Sequence, residues 1–245
     1  MFISQKSKAD FLCGLRQGIP IALGYLSVSF GFGIAAANAG LSPWIALLIS
    51  MTNLTSAGQV AGLSIIASCG SYFEMALAEF IINLRYALMS LALSQKVDKT
   101  LTTPHRITTA FGITDEIFAV ASGRYDEVSR HFLYGLILLP FLGWSAGTLI
   151  GGIAGNILPA RLCSALGILV YGMFFAIIIP PSRDSHGILT VVLLAAALSC
   201  AIKYIPAFSG ITTGFSIIIC GVISATLGAV FFPQSTDKTD GGDEE

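Results

Sequence analysis

Long apolar stretches separated by short polar turns run along the whole chain. They lie at about residues 19–37, 44–67, 72–94, 107–121, 132–155, 161–180, 187–205 and 208–232. A helix needs about 20 residues to cross the hydrocarbon of a bilayer, and most of these stretches have about 17 to 25. They are continuously apolar, without the alternation typical of membrane-spanning strands. The pattern therefore predicts an all-α polytopic membrane protein with about seven or eight apolar helical segments, some of them broken or re-entrant.

The stretch at residues 44–67 has a polar interruption in its middle, M-T-N-L-T-S-A-G-Q. Unwound backbone at membrane depth is tolerated only where it lines protein or a water-filled cavity. A broken or re-entrant helix would let four polar residues form hydrogen bonds with a substrate: Asn53, Thr55, Ser56 and Gln59. The alternative is an intact helix whose Thr and Ser hydroxyls bond to carbonyl groups of their own helix. The sequence leaves both open.

Ionisable and amide side chains stand inside two other apolar stretches. Residues 72–94 contain Glu79, Asn83 and Arg85, and residues 107–121 contain Asp115 and Glu116. Ionisable groups at membrane depth cost several kcal/mol, so they are usually paired or functional. Glu79 and Asn83 share one helix face, whereas Arg85 points elsewhere. We therefore expect Arg85 to find its counter-charge in Asp115 or Glu116.

The two adjacent acids, Asp115 and Glu116, point about 100° apart on a helix, so that one can face Arg85 and the other a cavity. A carboxyl group in a low-dielectric cavity keeps its proton more readily, which suits a proton-coupling residue. A carboxylate held ionised by Arg85 would instead recognise the ammonium group of a substrate. A structural ion pair that locks two helices together is the competing explanation.

The distribution of basic residues predicts the topology. Three of them, Lys6, Lys8 and Arg16, precede the first apolar stretch and predict a cytoplasmic N-terminus. The loop at residues 95–106 is also basic, yet three full crossings would place it outside. The conflict disappears if residues 44–67 enter and leave the membrane on the same side. The stretch at residues 107–121 is short and is followed by further basic residues, which predicts a second re-entrant or half-depth helix.

Small residues recur at spacings of three and four in the first apolar stretch, at Gly24, Ser27, Gly31 and Ala35. Small side chains let a neighbouring helix approach closely in a membrane, where lipid supplies no hydrophobic driving force. The spacing predicts that this face of the first helix packs against another helix.

The composition agrees with a membrane protein and excludes several function classes. The chain is 54% hydrophobic and 11% charged, with a mean hydropathy of +0.80, whereas a soluble domain has roughly 25% charged residues. A net charge of −1 without a basic patch argues against a nucleic-acid partner. The five cysteines have neither metal-ligand spacing nor a disulfide framework. With no phosphate loop, nucleophile motif or cleavable signal peptide either, we expect no enzyme, cofactor or metal.

Two segments, N-L-R-Y at residues 83–86 and F-G-I-T-D-E at residues 111–116, resemble the signature segments of the AzlC family of branched-chain amino acid permeases. Supporting matches, G-I-P-I-A-L-G-Y and S-F-G-F-G-I-A-A-A-N-A-G-L-S-P, extend the similarity over about residues 14–122. The resemblance implies the large subunit of an exporter of valine, leucine, isoleucine and their analogues in the bacterial cytoplasmic membrane. It also implies a small AzlD-type partner subunit. At T-N-L-T-S-A-G-Q the chain departs from several relatives, which carry a Y-A-G-A-S-Q-type segment, so the resemblance leaves the substrate range open.

An amphoteric substrate needs a cation for its carboxylate, an acid or carbonyl groups for its ammonium and an apolar pocket for its side chain. The substrate-binding candidates are Arg85, Asn83, Asp115, Asn53, Gln59 and Thr114, and the coupling candidates are Glu116 and Glu79. The alternative function is a non-transporting membrane subunit that stabilises or regulates a partner, with the buried charges as assembly contacts.

We expect a cytoplasmic N-terminal segment at residues 1–16, one transmembrane domain at residues 17–232 and a disordered acidic tail at residues 233–245. Two short similarities indicate internal repeats at residues 17–122 and 132–232, with chance similarity as the alternative. They match G-I-A-A-A-N-A-G-L-S-P from Gly33 with G-I-A-G-N-I-L-P from Gly152, and I-T-T-A-F-G-I from Ile107 with I-T-T-G-F-S-I from Ile211. Internal duplication is common among secondary transporters.

Overall fold

The computed structural model describes residues 5–159, 161, 162, 172, 175, 178–208 and 210–232. Nine α-helices are delimited in this part: α1 (Gln5–Asn38), α2 (Pro43–Thr52), α3 (Ser56–Ala67), α4 (Tyr72–Ser94), α5 (Thr103–Ala110), α6 (Asp115–Ser122), α7 (Arg130–Ile157), α8 (His186–Tyr204) and α9 (Thr213–Phe231). The β contact present among these residues is an isolated bridge between Val97 and Val128. The all-α prediction is therefore confirmed.

Five described helices, α1, α4, α7, α8 and α9, are long and apolar enough to cross a membrane. The predicted apolar segment at residues 161–180 lies mostly outside the described residues, as does the predicted tail at residues 233–245. The total number of segments and the division into one N-terminal segment, one domain and one tail therefore stay predictions.

Helix α1 is longer than the sequence pattern predicts. It begins at Gln5 instead of near Ile19 and has 34 residues, which span about 50 Å at 1.5 Å per residue. The basic residues Lys6 and Lys8 are thus part of the same helix as the apolar stretch. We call the side of the molecule at which α1 begins the near side, and the side at which it ends the far side.

Helices α1 and α7 run parallel and in close contact, through glycines. A side chain at Gly14 would clash with the backbone of Phe132, and one at Gly33, further along α1, would clash with Thr148. The contacts advance in the same direction along both helices, so the helices are parallel. The predicted packing face is wrong at Gly24, where an added Cβ atom would meet nothing within 4 Å. The spacing identified a glycine-rich helix, but only the position of α7 decides which face of α1 is covered.

Helices α2 and α3 form a re-entrant hairpin, residues 43–67, which we call hairpin A. It starts on the far side, where Pro43 lies beside Gly152 near the end of α7. Its non-helical tip at residues 53–55 reaches inward, and Leu54 packs against Tyr25, about 20 Å from the far end of α1. The chain then returns, because Leu63 packs near the far end of α1. The predicted break is confirmed, and an uninterrupted helix is wrong.

Helices α5 and α6 form a second hairpin, residues 103–122, which we call hairpin B and which enters from the near side. Its ascending half follows α7, because Phe111 contacts Phe141 with ring centroids 6.2 Å apart. The chain then turns back, and Arg124 lies over the ring of Phe132 near the start of α7, at 4.1 Å. The prediction of a single helix at residues 107–121 is wrong, because residues 111–114 separate two helices of eight residues each.

The chain divides into two compact units between residues 175 and 176. In the second unit α8 and α9 are antiparallel, with Gly187 against Phe232 and Gly228 against Val191. The proposed repeats at residues 17–122 and 132–232 stay a prediction. Their second similarity has different local structure in its two copies: the I-T-T-A segment closes α5, whereas Ile211 precedes α9 and Thr212 caps it.

Candidate functional site

The tips of hairpins A and B meet beside the middle of α4. They enclose a cleft of about 120 Å³, which we call the tip cleft. Its wall consists of Thr52, Asn53, Leu54 and Thr55 from hairpin A, Asn83 and Tyr86 from α4, and Ala110, Phe111 and Ile113 from hairpin B. The two helical hairpins are interrupted at Thr55 and Thr114, which are 59 residues apart in the sequence. The fold thus brings the two interruptions together.

Each non-helical tip ends with a threonine that caps the helix after it. The hydroxyl of Thr55 accepts a hydrogen bond from the Gly58 amide at 3.4 Å, and that of Thr114 accepts one from the Ile117 amide at 3.5 Å. Both threonines have extended backbone and stand immediately before the helix, as N-cap residues do. The helices α3 and α6 therefore both begin inside the molecule, at the tip of their hairpin.

Glu79 connects hairpin A with α4. One of its carboxylate oxygens, Oε2, accepts hydrogen bonds from Asn83 Nδ2 at 2.8 Å and from Asn53 Nδ2 at 3.4 Å. Thr55 donates to Asn83 Oδ1 at 2.7 Å. Gly58 leaves room for the carboxylate, because a side chain there would clash with Glu79. The predicted shared face of Glu79 and Asn83 is confirmed, and both residues bind the broken segment.

A second and larger cleft, about 280 Å³, adjoins Glu79, and we call it the Glu79 cleft. Its wall is mostly apolar and consists of Phe32, Ile49, Thr52, Asn53, Gln59, Gly62, Leu63, Ile66, Met75 and Glu79. It shares Thr52 and Asn53 with the tip cleft. The two clefts thus meet at the tip of hairpin A.

The counter-charge of Arg85 is Asp115. Arg85 Nη1 lies 2.7 Å from Asp115 Oδ2, and the two side chains are 41% and 40% exposed. Arg85 Nη2 also donates to the hydroxyl of Tyr86 at 3.1 Å. Neither Arg85 nor Asp115 is part of the wall of the two clefts. The pair joins α4 to the first residue of α6 and stays accessible.

Glu116 faces helix α1. It accepts a hydrogen bond from the hydroxyl of Tyr25 at 2.5 Å, and the same hydroxyl lies 2.6 Å from Thr114 Oγ1. The expectation that the second acid faces a cavity does not hold for the two clefts described above, because Tyr25 occupies that side. Sequence reasoning did not select Tyr25. The feature that could have identified it is a tyrosine in the apolar part of a spanning helix, because a buried phenolic hydroxyl needs a hydrogen-bond partner.

Gln59 is 1% exposed and is bonded at both ends of its amide. Its Nε2 donates to Ser50 Oγ at 2.8 Å, and its Oε1 accepts from Trp144 Nε1 at 2.8 Å. Ser50 Oγ in turn lies 2.7 Å from Thr148 Oγ1. These bonds connect hairpin A to α7. A direct contact between Gln59 and a substrate stays a prediction.

Of the eight predicted site residues, the clefts bring together four: Asn53, Asn83, Gln59 and Glu79. The other four, Arg85, Thr114, Asp115 and Glu116, lie around the start of α6 and form contacts with α4 and α1. Both groups involve the tips of the hairpins. Their roles in substrate binding and coupling stay predictions.

Comparison with known proteins identifies the family of this chain. The family model described as AzlC protein matches residues 20–158, which include both hairpins. An uncharacterized membrane protein of Archaeoglobus fulgidus is 32% identical over 185 residues, covering 75% of this chain and 81% of that protein. The inner membrane protein YgaZ of Escherichia coli is 26% identical over 238 residues, covering 94% of this chain and 95% of that protein. No solved structure gives a significant match. With more than half of its length matched by the family model, this membrane protein belongs to the AzlC family.

Proposed function

We propose that this chain is a secondary transporter that exports branched-chain amino acids and their analogues. The observation that carries the proposal is the meeting of two broken hairpins, from opposite sides of the molecule, at polar tips beside α4. Discontinuous helices whose unwound segments meet near the bilayer midplane form the substrate and ion sites of many secondary transporters. The family resemblance supports the substrate class.

The Glu79 cleft offers two of the three contacts that such a substrate requires. Its apolar wall suits a branched aliphatic side chain, and Glu79 suits the ammonium group. The third contact, to the substrate carboxylate, would come from Arg85, which lies outside the walls of both clefts and becomes available when its bond to Asp115 opens. Glu116 and Glu79 are the candidates for coupling to protons or another ion.

The orientation follows from the basic residues. Residues 5–162 contain ten Lys and Arg residues. Arg85 lies in the middle of α4, Arg161 follows the far end of α7, and the other eight lie in the near half: Lys6, Lys8, Arg16, Lys96, Lys99, Arg106, Arg124 and Arg130. The far-side turns at residues 39–42 and 68–71 contain none. By the positive-inside rule the near side, with the N-terminus, faces the cytoplasm. The family resemblance implies that the protein works in the bacterial cytoplasmic membrane, together with a small AzlD-type subunit.

The experiment is transport of labelled valine in proteoliposomes that contain the chain with its small partner subunit, at constant pH and after a pH jump. Export that responds to the pH jump supports a proton-coupled carrier. Arg85→Ala and Asp115→Asn should each lower transport, and normal transport in both would contradict their assignment to the site. If both variants abolish assembly with the partner while the residual complex transports normally, the charges are assembly contacts, as in the alternative function.

A further inference from the structure

Helices α1 and α4 carry tyrosines at corresponding places in two similarly built segments. Tyr25 ends the sequence L-G-Y in α1, and Tyr86 ends L-R-Y in α4. Each helix is followed by a broken hairpin with a threonine cap at its tip. Thr55 follows Tyr25 by 30 residues, and Thr114 follows Tyr86 by 28. The unit from α1 to α3 and the unit from α4 to α6 thus have the same plan.

The contacts between these two units are reciprocal. The hydroxyl of Tyr25, in the first unit, lies 2.6 Å from Thr114 Oγ1 in the second. The hydroxyl of Tyr86, in the second unit, donates to Thr55 Oγ1 in the first, at 3.4 Å. Each tyrosine therefore binds the hairpin tip of the other unit.

The two units also have opposite directions. Helix α1 runs from the near side to the far side and is followed by hairpin A, which enters from the far side. Helix α4 runs back to the near side, where Leu93 joins the core around Phe132, and it is followed by hairpin B, which enters from there. This is the arrangement of an inverted repeat, whose axis lies in the membrane plane. It differs from the repeats indicated by the sequence similarities.

We infer that Tyr25 and Tyr86 are the two gate residues of the carrier: Tyr25 holds hairpin B closed and Tyr86 holds hairpin A closed. This inference rests on the proposed transport function. Release of the Tyr25 bond, together with the Arg85–Asp115 pair at the start of α6, frees the tip of hairpin B and opens the tip cleft to the near side. Release of the Tyr86 bond, together with the bonds of Asn83 and Glu79 to the tip of hairpin A, opens the tip cleft to the far side. Alternate release of the two tips gives alternating access, and each tyrosine supplies one of the bonds that hold its tip.

The two bonds differ in strength in this structure. Tyr25 is 7% exposed, its ring packs edge-on against Trp144 at 5.2 Å, and its hydroxyl donates to the Glu116 carboxylate at 2.5 Å. Bonds to a charged acceptor are shorter and stronger than neutral ones. Tyr86 makes only the longer bond of 3.4 Å to a neutral hydroxyl on hairpin A. Of the two tyrosine bonds, the one at the far gate is therefore the weaker.

Sided labelling of a cysteine in the tip cleft tests this inference. The reporter is Ile113→Cys, a buried position in the cleft wall, in a chain whose five native cysteines are replaced by serine. A membrane-impermeant maleimide is applied from one side or the other of proteoliposomes of known orientation. The gate variants are Tyr25→Phe and Tyr86→Phe. The matched control is Tyr134→Phe, whose hydroxyl bonds to Thr108 and His105 away from the tips.

We expect Tyr25→Phe to raise the labelling rate from the near side by about tenfold, because it removes a bond to a charged group. Tyr86→Phe should raise the rate from the far side by about two- to fivefold, since its bond is neutral and long. Tyr134→Phe should change neither rate. Glu116→Ala, which removes the charged acceptor of the Tyr25 hydroxyl, should reproduce the effect of Tyr25→Phe, and Thr114→Ser, which keeps the hydroxyl, should behave like the unchanged chain.

The inference is overturned if the two tyrosine variants raise labelling from the same side, from both sides or from neither side. Elution of each variant as a single folded species separates these outcomes from misfolding. Labelling needs no substrate, so a sided response without valine transport would contradict the proposed substrate and support the gates. Valine transport without a sided response would contradict the gates alone.

Discussion

The guanidinium of Arg85 lies 2.7 Å from the carboxylate of Asp115, so helix α4 is bonded to the first residue of α6 at the tip of hairpin B. Both side chains keep about two fifths of their surface exposed. This pair can serve a substrate or only hold two helices together. Exchange of the two charges distinguishes these roles, because a structural pair does not depend on which helix carries the cation.

The exchange gives the first prediction. Arg85→Asp and Asp115→Arg as single variants leave like charges side by side, and each should lower valine transport by at least about tenfold, or about 1.4 kcal/mol. The double variant restores an ion pair and should restore the folded protein without restoring transport. Recovery of transport in the double variant would identify the pair as structural. Thermal unfolding in detergent and proteoliposome flux are the two measurements.

The parallel contact of α1 with α7 gives a prediction about stability. Gly33→Val should lower the free energy of unfolding by about 1–3 kcal/mol or more, because the new side chain meets the backbone at Thr148. Gly24→Val is the matched control on the same helix, since nothing lies within 4 Å of that position. Thermal unfolding of the detergent-solubilised proteins measures both. Equal melting temperatures would show that the two helices do not pack as described.

The size of the Glu79 cleft should determine which side chains are carried. A Cβ atom at Gly62 would lie 3.2 Å from Glu79 Oε1 and 3.3 Å from Met75 Sδ, so Gly62→Ala narrows the cleft without a severe clash. We expect export of leucine and isoleucine to fall by about tenfold relative to valine, since one methylene group in an apolar pocket changes discrimination by about 10–200-fold. Competition between labelled substrates gives the ratio directly. An unchanged ratio would place the substrate side chain elsewhere.

The bonds of Gln59 should matter for stability. Gln59→Ala leaves the indole N–H of Trp144 without its acceptor and should cost about 1–3 kcal/mol. Gln17→Ala, at an exposed position of α1, is the control. Trp144→Phe should lower the free energy of unfolding less in the Gln59→Ala background than in the unchanged chain, because the two residues share one hydrogen bond. Strict additivity in thermal unfolding would contradict the described network.

Several features of the site follow from the sequence by charge and periodicity. A charged residue in an apolar chain needs a partner, which predicted an acid from another segment for Arg85, and helical spacing placed Glu79 beside Asn83. The polar interruption predicted the break in hairpin A. The break in hairpin B was not predicted, because the segment F-G-I-T is apolar and short. A threonine is recognised as a helix cap only when the start of the helix after it is known.

Tyr25 and Gln59 show why the remainder could not be predicted. A tyrosine in an apolar stretch can bond to any acceptor, and only the fold brings Glu116 and Thr114, about 90 residues away, to its hydroxyl. Gln59 was expected to contact a substrate. In the structure, both ends of its amide form hydrogen bonds with other residues of the protein.

The sequence by itself determined that this chain is an all-α membrane protein, and it identified the segments that carry charge, because hydropathy and the cost of buried ions are local properties. Only the tertiary structure decided that Asp115 pairs with Arg85 and that two hairpins from opposite sides meet at α4. These contacts depend on which helix faces meet, and they join residues that lie far apart in the sequence. Helical periodicity defines the faces of each helix, and packing selects the neighbour that each face meets.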